Sequence, residues 1–174
     1  MKGVFVMKRM LLVCLLFFGS TLVASALDLS PIYHHPVLGG YAESVSEDSR
    51  IVDSAFSHMH NCTTTNGKIA AMGGVIRAQD AYISSLRRLN EQLARLVVAE
   101  GKAGPASKES LAIIKRKVVF ALGVDSAKNV VRKQLQESEN TNVKIGLFGT
   151  LMRISNEAMV HLQNTTSDYV MYFR

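Results

Sequence analysis

Cysteine is scarce in this chain, and its scarcity limits how the fold can be held together. Only Cys14 and Cys62 occur, and Cys14 lies in an N-terminal segment typical of a signal peptide. Once that segment is removed a single thiol remains, which excludes an intramolecular disulfide and hence a disulfide-stapled scaffold. We interpret Cys62 either as a core thiol on a helix face or as one half of an intermolecular bridge.

Proline and strand-like patterns are also rare. Of the three prolines, Pro31 and Pro36 lie close to the N-terminus and only Pro105 follows them. No stretch alternates apolar and polar residues with the β-branched enrichment typical of strands. The chain is therefore predicted to be all-α from residue 43 onwards, after an irregular N-terminal lead-in over residues 27–42.

Long apolar runs are absent except for one, over residues 10–18. Small residues follow it at Ala24 and Ala26, which suit cleavage of a signal peptide spanning residues 1–26. A retained membrane anchor is the alternative, but the run is shorter than the roughly 20 residues of a spanning helix. Three basic residues precede the run: Lys2, Lys8 and Arg9. We expect export to the periplasm, the cell surface or the extracellular space, with residues 43–174 forming a single domain.

What the sequence does have, after residue 43, is apolar residues at every third or fourth position. This spacing predicts helices with one buried face. The region 44–100 has the longest such stripe, and its spacing approaches the 3.5-residue repeat of coiled coils at Leu86, Leu89, Leu93 and Leu96. Residues 63–67 have low helix propensity, so this region is either one long helix or a hairpin of two. Asn66-Gly67 favours the hairpin, because this pair readily ends a helix.

Shorter apolar stripes follow a loop at residues 100–107 and a polar connector at residues 137–142. Each stripe must be buried against another helix, since no helix is apolar all round. The predicted fold class is therefore all-α: an elongated bundle of three to five amphipathic helices with a long, coiled-coil-like first hairpin or helix.

Positive charge is concentrated in the middle of the chain. Removal of residues 1–26 takes three of the 20 basic residues and none of the 14 acidic ones, which leaves a net charge of +3. Thirteen basic and five acidic residues lie between Lys68 and Lys133. Such an excess suits an acidic protein partner, a glycan or an anionic membrane surface. The segment 113–120 carries Lys115, Arg116 and Lys117 between apolar residues, so it is a candidate for membrane-surface docking.

Residues that carry chemistry are few. His58 and Cys62 are four residues apart and share a helix face, a spacing that can hold a metal ion, although structural zinc sites usually have more ligands. The sequence has no nucleophile elbow, no zinc-protease motif and no phosphate-binding glycine loop. We therefore expect neither enzymatic activity nor a cofactor.

The sequence as a whole favours an exported, non-enzymatic interaction or assembly protein, such as an accessory part of an envelope or secretion apparatus. The expected partner is a protein, and Leu86, Leu89, Leu93 and Leu96 together with an unpaired Cys62 would suit a homo-oligomer. One alternative is a small-ligand or metal carrier with a site near Cys62. Another is a peripheral membrane binder that uses segment 113–120. An intracellular nucleic acid is not expected as a partner.

Overall fold

The computed structural model describes residues 27–99 and 123–174. Within these two ranges the chain forms four α-helices and no strand: α1 (Gly39–Asn61), α2 (Thr65–Ala99), α3 (123–137) and α4 (Thr141–Val170). The prediction of an all-helical bundle is thereby confirmed. No helix among the described residues is both long and apolar enough to cross a bilayer. The predicted signal peptide, the loop at 100–107 and the segment 113–120 lie outside the described residues.

The region 44–100 forms two helices rather than one, and the break lies at residues 62–64. Cys62 is extended, with φ −68° and ψ 126°. The hydroxyl oxygen of Thr64 accepts a hydrogen bond from the backbone N–H of Gly67 at 3.1 Å, which caps the start of α2. Gly67 is therefore in the first turn of α2 and does not end α1, because the threonine cap starts the new helix before the Asn66-Gly67 pair. A Cβ at Gly67 would lie 2.8 Å from that hydroxyl oxygen.

The long helix α2 lies in the centre, with the other three helices packed along it. Ser85 donates a hydrogen bond to Asp48 of α1, on the side where the hairpin closes. Asn90 donates its side-chain N–H to the carbonyl oxygen of Leu162 at 3.2 Å, as Gln79 does to Met152 at 3.4 Å. Since the residue numbers rise together in these two contacts, α2 and α4 run parallel.

Helix α3 lies on a third side of α2 and runs antiparallel to it. Asp80 of α2 contacts Arg132, and Arg87 of α2 contacts Asp125. The numbers along α3 fall as those along α2 rise, which fixes the direction. The order of the described helices is thus up, down, up and down, as in a bundle of antiparallel neighbours along the chain.

The buried apolar residues fall into two clusters. The leucine-rich core runs from the lead-in to the end of α4 and contains Leu29, Ile32, Leu38, Leu86, Leu89, Leu93, Tyr169 and Val170, among others. The methionine-rich core lies near the α1–α2 turn and contains Met59, Ala71, Met72, Val75, Ile76, Val131, Leu151 and Met152. Complete burial of a valine, leucine, isoleucine or methionine side chain stabilises the fold by about 1.5–3 kcal/mol.

The lead-in is more ordered than the sequence predicts. Residues Ser30–Ile32 form one turn of 3₁₀ helix with Pro31 at its start, where the fixed φ of proline is compatible with a helical turn. The Asp28 carboxylate accepts the backbone N–H of Ser30 at 3.1 Å. Leu29, Ile32 and Leu38 are buried in the leucine-rich core, and α1 already begins at Gly39. Three apolar side chains of the lead-in are thus packed against the helices, although its two prolines interrupt regular helix.

Candidate functional site

The predicted metal ligands do approach one another. His58 lies in the last turn of α1, and its Nε2 is 3.9 Å from Sγ of Cys62, the residue that ends the helix. Cys62 is half-buried and packs against the methionine-rich core. Within residues 27–99 and 123–174, no group of three or more His, Cys, Asp and Glu side chains is placed to hold a metal ion. Two ligands fall short of the four that a structural zinc site uses.

The predicted leucine seam lies inside the molecule. Leu86, Leu89 and Leu93 are each 0% exposed and belong to the leucine-rich core, while Leu96 is partly buried against it. These side chains contact other helices of the same chain, so they offer little apolar surface to a second copy. The other predicted interaction residues, Lys115, Arg116 and Lys117, lie outside the described ranges.

One side of α2 is left exposed after α1, α3 and α4 have packed along it. The exposed residues recur every three, four or seven positions, as one helix face requires. We name this surface the arginine face; it comprises Ala70, Arg77, Ala81, Ser84, Arg88, Glu91, Arg95 and Val98. Three of its residues are arginines, and only one is acidic. The face therefore has an excess of positive charge along one side of α2.

The arginines of this face differ in how they are held. The guanidinium group of Arg77 lies over the preceding turn, since ideal Cβ atoms at Gly73 and Gly74 would be 3.6 and 4.0 Å from its nitrogens. Arg95 is paired with Glu91 one turn earlier, with both side chains exposed. Neither Arg77 nor Arg88 has an ion-pair partner among the described residues, so their charge is available to an incoming anion.

The edge of the arginine face, where α3 meets α2, adds more positive charge. The Asp80 carboxylate contacts both Lys128 and Arg132 of α3, so two cations surround one anion. The Lys128 side chain is only 4% exposed, which makes its pairing with Asp80 a structural requirement. Arg87 holds Asp125 through two hydrogen bonds of 2.9 and 3.1 Å. Along this edge, three cations face two carboxylates.

Sequence reasoning found part of this surface. The excess of basic residues between 68 and 133 indicated a positive region, and the buried stripe of α2 implies which residues point away from the core. Nothing local indicated that Asp80 would meet Lys128, because these residues are 48 positions apart and meet only when α3 packs. What the arrangement can do chemically is attract and hold anionic groups.

The chain matches no protein-family model, no curated protein and no solved structure.

Proposed function

We propose that this chain is an exported, non-enzymatic binding protein that holds an acidic partner protein along the arginine face. The observation that carries the proposal is the row of Arg77, Arg88 and Arg95 on one exposed side of the long helix. At 1.5 Å per residue, the row extends over about 27 Å. A row of this length suits an extended partner surface better than a single small anion.

The shape of the face favours a helical segment as the partner. Ala81 and Ser84 lie between the arginines and Ala70 lies two turns before Arg77; because these residues are small, another helix can approach closely. The arginines are separated by 11 and 7 residues, both close to whole numbers of helical turns, so carboxylates at the same spacings on a second helix would lie opposite them. Val98 is the only large apolar residue on the face. A membrane-bound helix would need a more apolar surface, so a lipid partner is less well supported.

The proposed location comes from the N-terminal sequence, and a simple experiment tests it. The full chain is produced in a bacterial host, and the periplasmic and cytoplasmic fractions are analysed by intact mass. A protein that begins at Leu27 in the periplasm would support export with cleavage after Ala26. A cytoplasmic product that retains residues 1–26 would contradict it.

The binding proposal is tested by site-specific photo-crosslinking of the exported chain in its native cells. One crosslinker replaces Ser84 on the arginine face, and a control replaces Ser54, which is exposed on α1. We expect a defined adduct from position 84 only, with a partner whose crosslinked segment is an acidic helix. Adducts that are the same from both positions would contradict the proposal.

Charge reversal supplies the matched control. Arg77→Glu with Arg88→Glu should abolish the adduct, whereas Arg50→Glu with Arg153→Glu should not. Both pairs change the net charge equally, but Arg50 and Arg153 lie on α1 and α4, paired with Glu47 and Glu157. Adduct formation should also fall as NaCl is raised from about 0.05 to 0.5 M, because screening shortens the reach of charge. If both pairs of substitutions lowered the amount of adduct equally, the arginine face would not be the binding surface.

A flotation assay separates the membrane alternative. Purified residues 27–174 are mixed with vesicles that contain phosphatidylglycerol and centrifuged through a density gradient. Under the proposal, the protein stays at the bottom of the gradient. Co-flotation that Arg77→Glu with Arg88→Glu abolishes would instead assign the arginine face to an anionic membrane.

A further inference from the structure

Residues 27–38 and residues 169–174 meet on the leucine-rich core. Asp28 pairs with Arg174 at 3.1 Å, and the ring of His35 meets the ring of Phe173 edge-on, with centroids 5.6 Å apart. Leu29, Ile32 and Leu38 of the lead-in are buried in the same cluster as Tyr169 and Val170. We name residues 27–38 and 169–174 together the terminal latch.

His35 holds the lead-in of the latch in its turn. Its Nδ1 atom accepts hydrogen bonds from the backbone N–H groups of Val37 at 3.2 Å and Leu38 at 3.3 Å. Its carbonyl oxygen accepts the N–H of Gly39 at 2.9 Å, at the start of α1. Aspartate, asparagine and serine commonly play this part ahead of a helix, because their side-chain oxygen accepts N–H groups two and three residues later. A histidine can do so only while Nδ1 has no proton.

We propose that the terminal latch is a pH-sensitive device that opens when His35 is protonated. A proton on Nδ1 turns the acceptor into a donor that faces two N–H groups, so both hydrogen bonds are lost. The turn over 36–38 then loses the contacts that direct Leu38 into the core. This inference concerns the latch end of the molecule and is independent of any partner at the arginine face.

Two other ionisable groups at this end, Asp28 and Tyr169, keep their charge state near neutral pH. Hydrogen bonds from Ser30 and the nearby Arg174 lower the pKa of Asp28, so it stays ionised on mild acidification. Burial raises the pKa of Tyr169 to about 12, so its hydroxyl stays neutral. The other ionisable residues of the chain segments 27–41 and 168–174 are Tyr33, His34, Tyr41, Asp168 and Tyr172, and those of residues 91–99 at the end of α2 are Glu91 and Arg95. As a residue type, histidine is the side chain whose charge ordinarily changes between pH 5 and 8.

Two variants distinguish an effect of His35 from an effect of its neighbour His34. His35→Asn keeps an acceptor for the Val37 and Leu38 N–H groups but removes the titration. His34→Asn changes an exposed histidine one position away and is the matched control.

The test is amide hydrogen exchange on the protein beginning at Leu27, measured at pH 7.5 and 5.5 and corrected for the intrinsic effect of pH. In the wild type, protection of the Val37 and Leu38 amides should fall about tenfold or more at pH 5.5, as expected for the loss of two hydrogen bonds. The fall should persist in His34→Asn and be absent in His35→Asn. Unchanged protection in the wild type, or the same fall in His35→Asn, would overturn the proposal.

A second measurement keeps the test independent of how well asparagine fits. The ¹⁵N chemical shifts of the His35 ring at pH 7.5 report which nitrogen carries the proton. The proposal requires the proton on Nε2, so that Nδ1 accepts the N–H groups of Val37 and Leu38. A ring protonated at Nδ1 at this pH would overturn it, whatever the variants do.

Discussion

The leucine-rich core and the methionine-rich core lie along the same helices but are filled by different side chains. The first contains three leucines of α2 with 0% exposure and is covered by the terminal latch. The second contains three methionines among its eight buried residues, and its rim includes the half-buried Phe56, Cys62 and Phe148. Branched side chains have few rotamers and specify one packing, whereas methionine adapts to irregular spaces. We infer that one end of the bundle is tightly specified and the other is tolerant.

The largest expected effect is a cavity in the leucine-rich core. Leu89→Ala should lower the free energy of unfolding by about 2–5 kcal/mol, because Leu89 is completely buried in a cluster that contains residues of several helices. Met59→Ala is the matched change in the methionine-rich core, where Met59 is 8% exposed near the turn, and it should cost less. Urea unfolding measures both. An equal or greater loss from Met59→Ala would remove the contrast between the cores.

The next effect concerns how α3 is held beside the methionine-rich core. Asp80→Ala would leave Lys128 buried without its carboxylate, at a cost of about 3 kcal/mol. Asp125→Ala breaks a more exposed pair with Arg87 and should cost less than about 1 kcal/mol. Lys128→Met should cost little, since methionine fills a similar volume and Asp80 keeps Arg132. Chemical denaturation of the three variants tests this order, and similar losses for Asp80→Ala and Asp125→Ala would contradict it.

A third effect is a pH dependence of stability that arises in the leucine-rich core. Burial raises the pKa of Tyr169 to about 12, above the value of about 10 for unfolded chains. The neutral hydroxyl therefore favours the folded state below about pH 10, and this contribution is lost as the pH rises from about 10 to 12. Tyr169→Phe should therefore reduce the loss of stability at alkaline pH. Thermal unfolding between pH 8 and 11.5 measures this loss. It should cost little at pH 7, because the hydroxyl has no hydrogen-bond partner among the described residues.

The smallest effect is expected where the methionine-rich core is merely reshaped. Met72→Leu conserves volume, so it should change the free energy of unfolding by less than about 1.5 kcal/mol. Thermal unfolding provides the comparison with Leu89→Ala. A change as large as that of Leu89→Ala would show that the methionine-rich core is packed as strictly as the other.

Periodicity predicted the helices and the buried faces better than it predicted where helices begin. Leu151, Ser155, Ala158 and Tyr169 are buried on α4, as their spacing implies. The start of α4 depends on a single side chain, since Asn140 accepts the N–H groups of Asn142 and Val143. Asn140 lay within a segment interpreted only as a polar connector. A cap is one residue among several of similar type, so local composition does not identify which one acts.

The arginine face and the latch were harder to predict, for different reasons. The direction of Arg77 and Arg88 follows from the α2 stripe, but their exposure depends on which sides of α2 the other helices cover. In the latch, His35 and Phe173 are far apart in sequence, and no periodic pattern connects them. The prolines of the lead-in indicated an irregular chain. Leu29, Ile32 and Leu38 are apolar residues of the same segment that can be buried against the helices.

The parallel alignment of α2 and α4 has a consequence for the order in which the molecule folds. The contact of Ser85 with Asp48 closes a loop of 37 residues, whereas that of Gln79 with Met152 closes one of 73. Doubling a loop adds only about 0.6 kcal/mol of closure entropy. The hairpin of α1 and α2 also gains contacts continuously from its turn, while α4 must dock from a distance. We therefore expect the hairpin to form early and α4 to join late, with the polar side chains of Gln79 and Asn90 in water until it does.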